Sequence, residues 1–190
     1  AVPYQVYELT KDNWLVGMLG LVQLVPVLVF GILGGTYADR LNRRKLLLIS
    51  EFFMTALICG LMINAFQEKP SVTAIFILVA LFQSVLGFHR PSLDALTQKL
   101  VDKKHYAAVG ALGSFRYSTG AILGPALGGV LIATFGVKSA YLFDLCSFIA
   151  AFTTLFLMNR MPDPEKRDHS PWQDAKDGMK FALSKPELIG

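Results

Sequence analysis

The chain has 190 residues, of which 53% are hydrophobic and 17% are charged, and its mean hydropathy is +0.47. This composition is unlike that of an ordinary soluble domain and indicates a protein whose solvent is a lipid bilayer. The formal net charge of +4 is small, and membrane topology explains it more simply than nucleic-acid binding does.

The hydrophobic residues lie in five long blocks that contain no Asp, Glu, Lys or Arg. About 20 apolar residues in a helix are enough to cross a bilayer. Two blocks extend backwards across a single acid, because Glu51 lies in an apolar run from Leu46 and Asp144 in one from about Ala140. We therefore predict an all-α membrane protein with five complete spans. The charge-free blocks are residues 13–38, 52–67, 70–89, 117–137 and 145–159.

The first ten residues, AVPYQVYELT, precede the first span. Their short apolar start has no basic flank and no cleavage site, so it does not resemble a signal peptide. We interpret this segment as the exit of a helix that begins before Ala1.

The segment after the last span has the signals of a surface helix. Ser170 is a candidate N-cap, Pro171 follows at the first helical position, and Gln173 stands at capping-box spacing. One side of this helix is apolar and the rest is polar, which suits a helix that lies along the membrane surface. We therefore predict a transmembrane bundle over residues 1–158, and a cytoplasmic linker with this helix and the start of the next over residues 159–190.

The connections between the predicted spans alternate in their number of Lys and Arg residues, which is four, one, four and one along the chain, with six more after the last span. The positive-inside rule places the basic connections in the cytoplasm. We therefore predict an inner or plasma membrane protein whose segments 39–45, 90–106 and 159–187 are cytoplasmic. Topology accounts for the bases of GGTYADRLNRRK, residues 34–45, but leaves Asp39 unexplained.

Sequence motifs for an enzyme, a metal centre or a bound cofactor do not emerge from the chain. His89, His105 and His169 lie at span ends or in connections, without a carboxylate or cysteine at ligand spacing. The sequence has no nucleotide-binding P-loop, and no Ser-His-Asp, paired-carboxylate or His-rich set occupies the spans. We therefore predict no metal, no cofactor and no enzymatic activity.

The segment GAILGPALGG, residues 120–129, is rich in glycine. Gly120, Gly124 and Gly128 recur at every fourth residue, so a helix carries them on one face, where another backbone can approach closely. Pro125 is expected to bend that helix. A glycine packing seam, as in many membrane helices, is the simplest interpretation.

The charged segment of residues 34–45, here called the first motif, and the glycine motif of residues 120–129 together resemble two motifs of the major facilitator superfamily. Its loop motif between the second and third helices is G-x-x-x-D-R-x-G-R-R, and here Asn42 replaces the second glycine. The matching residues are Gly35, Asp39, Arg40, Arg43 and Arg44. Its fifth-helix motif, G-x-x-x-G-P-x-x-G-G, is associated with antiporters. The matching residues are Gly120, Gly124, Pro125, Gly128 and Gly129.

A narrower resemblance is to the branch of the superfamily that contains an enterobactin exporter and macrolide efflux proteins. It is carried by AVPYQVYELT, FHRPSLDAL, LGPALGGVLIATFG and YLFDLCSF. The resemblance implies twelve helices in two six-helix halves, with alternating access to a site between the halves. The chain then corresponds to the N-terminal half, with helix one truncated and helices two to six complete. In this fold helices one and four line the cavity, and helices two and five flank the gate between the halves.

The resemblance also implies a proton-coupled exporter of an amphiphilic small molecule, such as a siderophore or a macrolide. Its partners are the lipid bilayer and a C-terminal six-helix half. Members often carry an arginine in helix four where this chain has Val79 and Ala80, which puts coupling through that arginine in doubt. Alternatives are a structural or receptor protein assembled from half-size units through the glycine seam and, less favoured, a membrane enzyme.

Four polar residues within the spans, Gln23, Gln83, Glu51 and Arg116, are candidates for substrate binding or coupling, and Asp144 is a fifth polar residue there. For Glu51 we favour an acid near the interface that neutralises the basic connection over a coupling role. For Arg116, a substrate or gate contact and a structural ion pair are equally open. Asp144 is expected to serve packing or capping. Gln23 and Gln83 can each orient a ligand or bond to a neighbouring helix.

Asp39, the acid of the first motif, predicts a contact that closes the cytoplasmic side of the transporter. Asp39 and Arg43 are four residues apart and can pair on one helix face, and the resemblance supplies Asp94 at the cytoplasmic end of helix four as a third member. Asp39 can also face a helix N-terminus in the second half. Such contacts favour the state that is closed to the cytoplasm. We expect Asp39 and Arg43 mainly to open and close the cytoplasmic side. The remaining bases are expected mainly to anchor the chain in its membrane orientation: Arg40, Arg44 and Lys45.

Overall fold

The structure, a computed structural model, describes residues 1–38 and 42–158, without the side chains of residues 33, 35–38, 98 and 99. The described residues form six α-helices and one short 3-10 helix and contain no strand. The α-helices are α1 (Val2–Thr10), α2 (Asn13–Ala38), α3 (Arg43–Phe66), α4 (Val72–Leu100), α5 (Tyr106–Phe135) and α6 (Val137–Leu157), and the 3-10 helix is Lys103–His105.

Helices α2 to α6 are each long and apolar enough to cross a membrane, which confirms the prediction of five spans and an all-α fold. Large apolar side chains cover the outside of the bundle, where lipid would surround them. Among them are Leu28, Phe53, Ile122, Leu127 and Phe143, each more than half exposed. A soluble protein would bury such side chains, so the outward-facing apolar surface agrees with the composition.

The ends of α2 follow its apolar block, but α4 and α5 are longer than predicted, and α5 begins at Tyr106, well before residue 117. Helix α4 continues through Pro91 to Leu100, so much of the segment 90–106, which we predicted as a cytoplasmic loop, is helical. Pro91 removes one backbone hydrogen bond and does not end the helix, because neighbouring helices in a membrane protein satisfy the freed group. The predicted linker over residues 159–190 lies outside the described residues.

Two connections on the described chain are fixed by side-chain caps. Asn42 is the N-cap of α3, and its side-chain oxygen accepts a hydrogen bond of 3.2 Å from the backbone N–H of Lys45. Ser71 caps α4 in the same way, at 3.3 Å from the N–H of Ala74. Asn64 joins the two ends of this second connection, since its amide exchanges hydrogen bonds of 2.9 and 3.2 Å with the backbone of Ser71.

Helix α4 is the centre of the bundle. It packs most extensively against α2 and α3, and α3 also packs against α6. The buried core lies where α1 meets these helices and includes Val6, Leu61, Ile75 and Tyr141. The hydroxyl of Tyr141 donates a 2.6 Å hydrogen bond to the side-chain oxygen of Gln5, which ties α6 to α1.

Helix α5 stands apart from this core. Its main contacts are with α6 and the short 3-10 helix, and none of its residues is buried. Its length and apolar composition fit a membrane span, yet the described residues cover little of its surface. The bundle is therefore well packed around α4 and open around α5.

The closest helix approach joins α2 and α4 through Gly34 and Gly87. A Cβ atom added to Gly34 would lie 2.9 Å from the Cα of Phe88, and one added to Gly87 would lie 2.7 Å from the backbone carbon of Phe30. Carbon atoms do not approach so closely without repulsion, because their optimal separation is about 3.5–4.0 Å. These two glycines therefore allow α2 and α4 to touch backbone to backbone.

Candidate functional site

A cavity of about 1230 Å³ lies between α3, α4, α5 and α6. Four charged side chains and one histidine line it: Glu51, Arg90, Asp94, Arg116 and His89. Its other walls are apolar or small, with Leu47 and Met54 from α3 and Phe148 and Leu155 from α6. Helix α5 contributes Gly110, Gly113 and Gly120, whose lack of side chains leaves the space wide. The cavity thus offers both apolar area and a few charges.

A second cavity, of about 660 Å³, lies between α4 and α5 and shares Asp94 and Arg116 with the first. Both residues are exposed. Among the described residues, neither has an ion-pair partner or a side-chain hydrogen bond. Asp94 and Arg116 are therefore available to a molecule that enters from either cavity.

The buried charges of the larger cavity are joined across two helices. Nε2 of His89 on α4 lies 3.0 Å from Oε2 of Glu51 on α3, and Glu51 is only 4% exposed. The Glu51 side chain therefore pairs with a histidine deep in the bundle. Pairing explains how an acid is accommodated inside a membrane span, where an isolated charge costs at least about 2.5–3.5 kcal/mol.

Sequence reasoning singled out Glu51 but missed its partner. Spacing along the chain places no ligand or acid next to His89, so the sequence predicts no role for it. The signal that could have found the pair is depth in the hairpin, because Glu51 and His89 stand at nearly equal distances from the connection between α3 and α4. Antiparallel neighbours bring such positions to the same level.

The arginines of the first motif join three helix ends. Nη1 of Arg43 donates a 2.8 Å hydrogen bond to the carbonyl of Ala95 on α4, next to the predicted partner Asp94. Nη2 of Arg44 donates one of 2.6 Å to the carbonyl of Phe156 in the last turn of α6. Carbonyls in a last turn lack helical partners and attract cations, which explains the second contact. The start of α3 is thus tied to the ends of α4 and α6.

The remaining members of the first motif cannot be placed in detail. Asp39 and Arg40 lie outside the described residues, and Gly35 belongs to α2 at a position whose surroundings are not described. Asn42, which departs from the motif, has a role of its own as the N-cap of α3. The predicted pairing of Asp39 with Arg43 therefore stays a prediction.

The glycine motif of residues 120–129 lies on the exposed surface of α5. A Cβ atom added to Gly120, Gly124, Gly128 or Gly129 would meet nothing within 4 Å, and Pro125 lies within the same helix. The described part of the chain therefore supplies no helix that uses this seam.

The two glutamines and Asp144 lie outside the lining of the larger cavity. Gln23 on α2 and Asp144 on α6 are partly buried. The side-chain oxygen of Gln83 on α4 is buried and has no hydrogen-bond partner among the described residues. A buried acceptor without a partner is costly, so Gln83 is a position at which a water or a ligand donor would be stabilised.

Comparisons with known proteins agree with this architecture. The family described as transmembrane secretion effector (MFS_3) matches residues 2–188. The chain is 31% identical over its whole length to an enterobactin exporter of Shigella boydii and 32% identical to one of Citrobacter koseri. An enterobactin exporter of Escherichia coli is 31% identical over the whole chain. In each case the chain spans 45% of the relative's length. No solved structure matches the chain significantly.

Proposed function

Because the chain belongs to the transmembrane secretion effector family of the major facilitator superfamily, we propose that it forms the N-terminal half of a proton-coupled exporter of an amphiphilic small molecule. The chain is a multi-pass inner membrane protein with five spans. Export proceeds by alternating access, in which the two halves rock around a site that opens to one side of the membrane at a time.

The observation that carries this proposal is the cavity of about 1230 Å³ with mixed walls. Pockets for organic ligands are typically about 300–1,000 Å³ and combine apolar walls with a few polar groups. Here Phe148 and Met54 supply apolar area, and Asp94 and Arg116 supply charges without partners among the described residues. An amphiphile of substantial size fits that combination.

The substrate we propose to test first is enterobactin, because the relatives with 31–32% identity are named for its export. A macrolide is the second choice, on the resemblance to macrolide efflux proteins. The glycine motif on α5 supports an antiporter, in which the substrate leaves as a proton enters. Gln83, with its unpartnered buried oxygen, is a further candidate to orient the substrate.

The charged ends of α3, α4 and α6 support a gate on the cytoplasmic side. Arg43 and Arg44 already hold three helix ends together within this half. In the proposed cycle Asp39 adds the contact between the halves, and its release opens the cavity to the cytoplasm. The length of the relatives favours a second half in the same chain over assembly from half-size units.

Export can be tested in cells that lack their own pumps. Cells that produce the complete transporter are expected to accumulate less enterobactin, or less of at least one compound in a panel of macrolides and amphiphilic dyes, than cells with an empty vector. An uncoupler should remove the difference, because the driving force is the proton gradient. Accumulation is measured by extraction and mass spectrometry.

Two outcomes would contradict the proposal. Unchanged accumulation across the whole panel, with membrane expression verified, argues against export. A difference that persists in the presence of the uncoupler, under conditions where the gradient is shown to be collapsed, supports export but argues against proton coupling.

A further inference from the structure

We propose that Glu51 and His89 together form the proton-binding site of the transporter, an inference that rests on the proposed function and names its coupling group. The two side chains are 3.0 Å apart, lie on adjacent helices and line the larger cavity. Glu51 is 4% exposed, and the side chain of His89 is 16% exposed. The pair is therefore shielded from lipid and reachable from the cavity.

The chemistry of the pair suits a proton that is held and released. Imidazole is the side chain whose ordinary charge change falls between about pH 5 and 8. With one proton on His89, the imidazolium and the carboxylate form a neutral pair, which is tolerated inside a membrane protein. Loss of that proton to cavity water leaves a neutral imidazole beside a carboxylate, with a net charge of −1.

The surroundings are asymmetric in charge. On α4, Arg90 follows His89 and Asp94 lies one turn further on, and α5 adds Arg116 and Tyr117. Helix α6 lines the cavity with apolar and small residues, and α3 itself adds the apolar Leu47 and Met54. The two arginines and Asp94 line the same cavity as the pair, so charges of both signs surround it.

Release of the proton changes what the cavity can bind. The N–H of His89 no longer occupies Oε2 of Glu51, so the carboxylate and the free imidazole nitrogen both become acceptors. Hydroxyl or ammonium groups of a substrate can then donate to them. In the opposite step, a proton returning to Nε2 restores the pair and displaces those donors. One proton thereby competes with one substrate for the same two side chains, which is the requirement for antiport.

The other two ion pairs described in the chain differ from this one. Glu8 with Lys11 and Asp102 with Lys104 are solvent-exposed and lie outside the cavity. The alternative role for Glu51 and His89 is structural, as a contact that holds α3 against α4. A second contact of α3 serves as the comparison for a purely structural role. Asn64 on α3 forms hydrogen bonds with the backbone of Ser71 just before α4, and it carries no titratable group.

The test uses the full-length transporter in proteoliposomes, with enterobactin as the probe. Glu51→Gln keeps the shape and hydrogen-bonding capacity of the side chain but cannot ionise. We expect it to reduce transport driven by a pH gradient at least about fivefold, as ordinary coupling free energies imply. Exchange of labelled for unlabelled substrate at equal pH should persist, because it needs no net proton movement. His89→Gln is likewise expected to reduce transport driven by a pH gradient and to keep exchange at equal pH.

The control variant is Asn64→Ala, which removes a buried polar contact between the same two helices. It is expected to lower thermal stability and to reduce driven transport and exchange in proportion. If Glu51→Gln behaves like Asn64→Ala, or keeps driven transport at the wild-type level, the pair is structural and the inference is overturned. If the wild type exchanges substrate but shows no driven transport, proton coupling itself fails, and with it this inference.

A second measurement needs no substrate. Infrared difference spectra of the purified transporter between about pH 5 and 8 should contain a histidine and carboxylate signal that disappears in both Glu51→Gln and His89→Gln. Asn64→Ala should keep it. Spectra that are identical in the wild type and the two variants would overturn the inference, even where the transporter does not carry enterobactin.

Discussion

At the scale of single residues, two charges of α3 are held by groups on other helices. Glu51, a lone acid in an apolar run, lies 3.0 Å from Nε2 of His89 on α4. Nη2 of Arg44 donates a hydrogen bond to the carbonyl of Phe156, which ties the start of α3 to the end of α6.

The residues of the first motif are expected to separate into two functions. Asp39→Asn should leave insertion and abundance near normal, abolish most transport and raise the labelling of a cysteine placed on the cytoplasmic side of the cavity, because in the proposed cycle Asp39 makes the contact that closes that side. Arg44→Gln should instead lower the midpoint of thermal unfolding, since it loses a hydrogen bond worth about 0.5–1.5 kcal/mol to Phe156.

Transport assays, cysteine labelling and unfolding of the purified full-length protein are made on both variants. Lys103→Gln is the control, because it removes one positive charge from an exposed connection at the same end of the bundle. Normal export by Asp39→Asn would rule out a gating role. An unfolding midpoint of Arg44→Gln equal to that of Lys103→Gln would show that the bond to α6 contributes nothing.

At the scale of helices, apolar blocks predict the number of spans well because each must match the thickness of the bilayer. They predict the ends less well. Helix α4 passes Pro91 and α5 starts at Tyr106, since polar residues can continue a helix beyond the membrane. Close helix contacts are the least visible in sequence. The glycines of residues 120–129 form a regular motif but touch nothing described, whereas Gly34 and Gly87 form the tight contact without one.

The contact between α2 and α4 can be tested with a single methyl group. Gly87→Ala places a Cβ atom 2.7–2.9 Å from Phe30 and Gly31, so the helices have to separate. Overpacking of this kind typically costs about 1–3 kcal/mol, and we expect a lower unfolding midpoint and less folded protein in the membrane. The matched control is Gly17→Ala on α2, where nothing lies within 4 Å of the added atom. Equal midpoints for the two variants would contradict the backbone contact.

At the scale of the whole molecule, the open side of α5 is the main feature. The described bundle is packed around α4, while α5 has no buried residue and borders both cavities. The chain spans 45% of the length of its relatives. The sequence predicts a packing seam on α5, and no described residue lies within 4 Å of a Cβ atom added to its glycines.

The function of that seam is testable by adding bulk to it. Gly124→Leu places its Cβ atom in open space, because no described atom lies within 4 Å of that position. If the second half of the transporter packs on the glycines, the leucine should lower both transport and the unfolding midpoint of the full-length protein, since it prevents close approach. Ala126→Leu is the control, because two residues further along it adds similar bulk to the opposite side of α5.

The pattern of outcomes separates the possible partners. One outcome is that Gly124→Leu lowers transport and the unfolding midpoint, Ala126→Leu does not, and the protein stays monomeric. This outcome places the second half of the same chain on the seam. Conversion of a dimer to a monomer by Gly124→Leu, measured by mass photometry, would instead place a second copy there and favour assembly through this face. Wild-type behaviour of both variants would mean that α5 meets only lipid at Gly124, and that the antiporter motif acts through the cavity and not through packing.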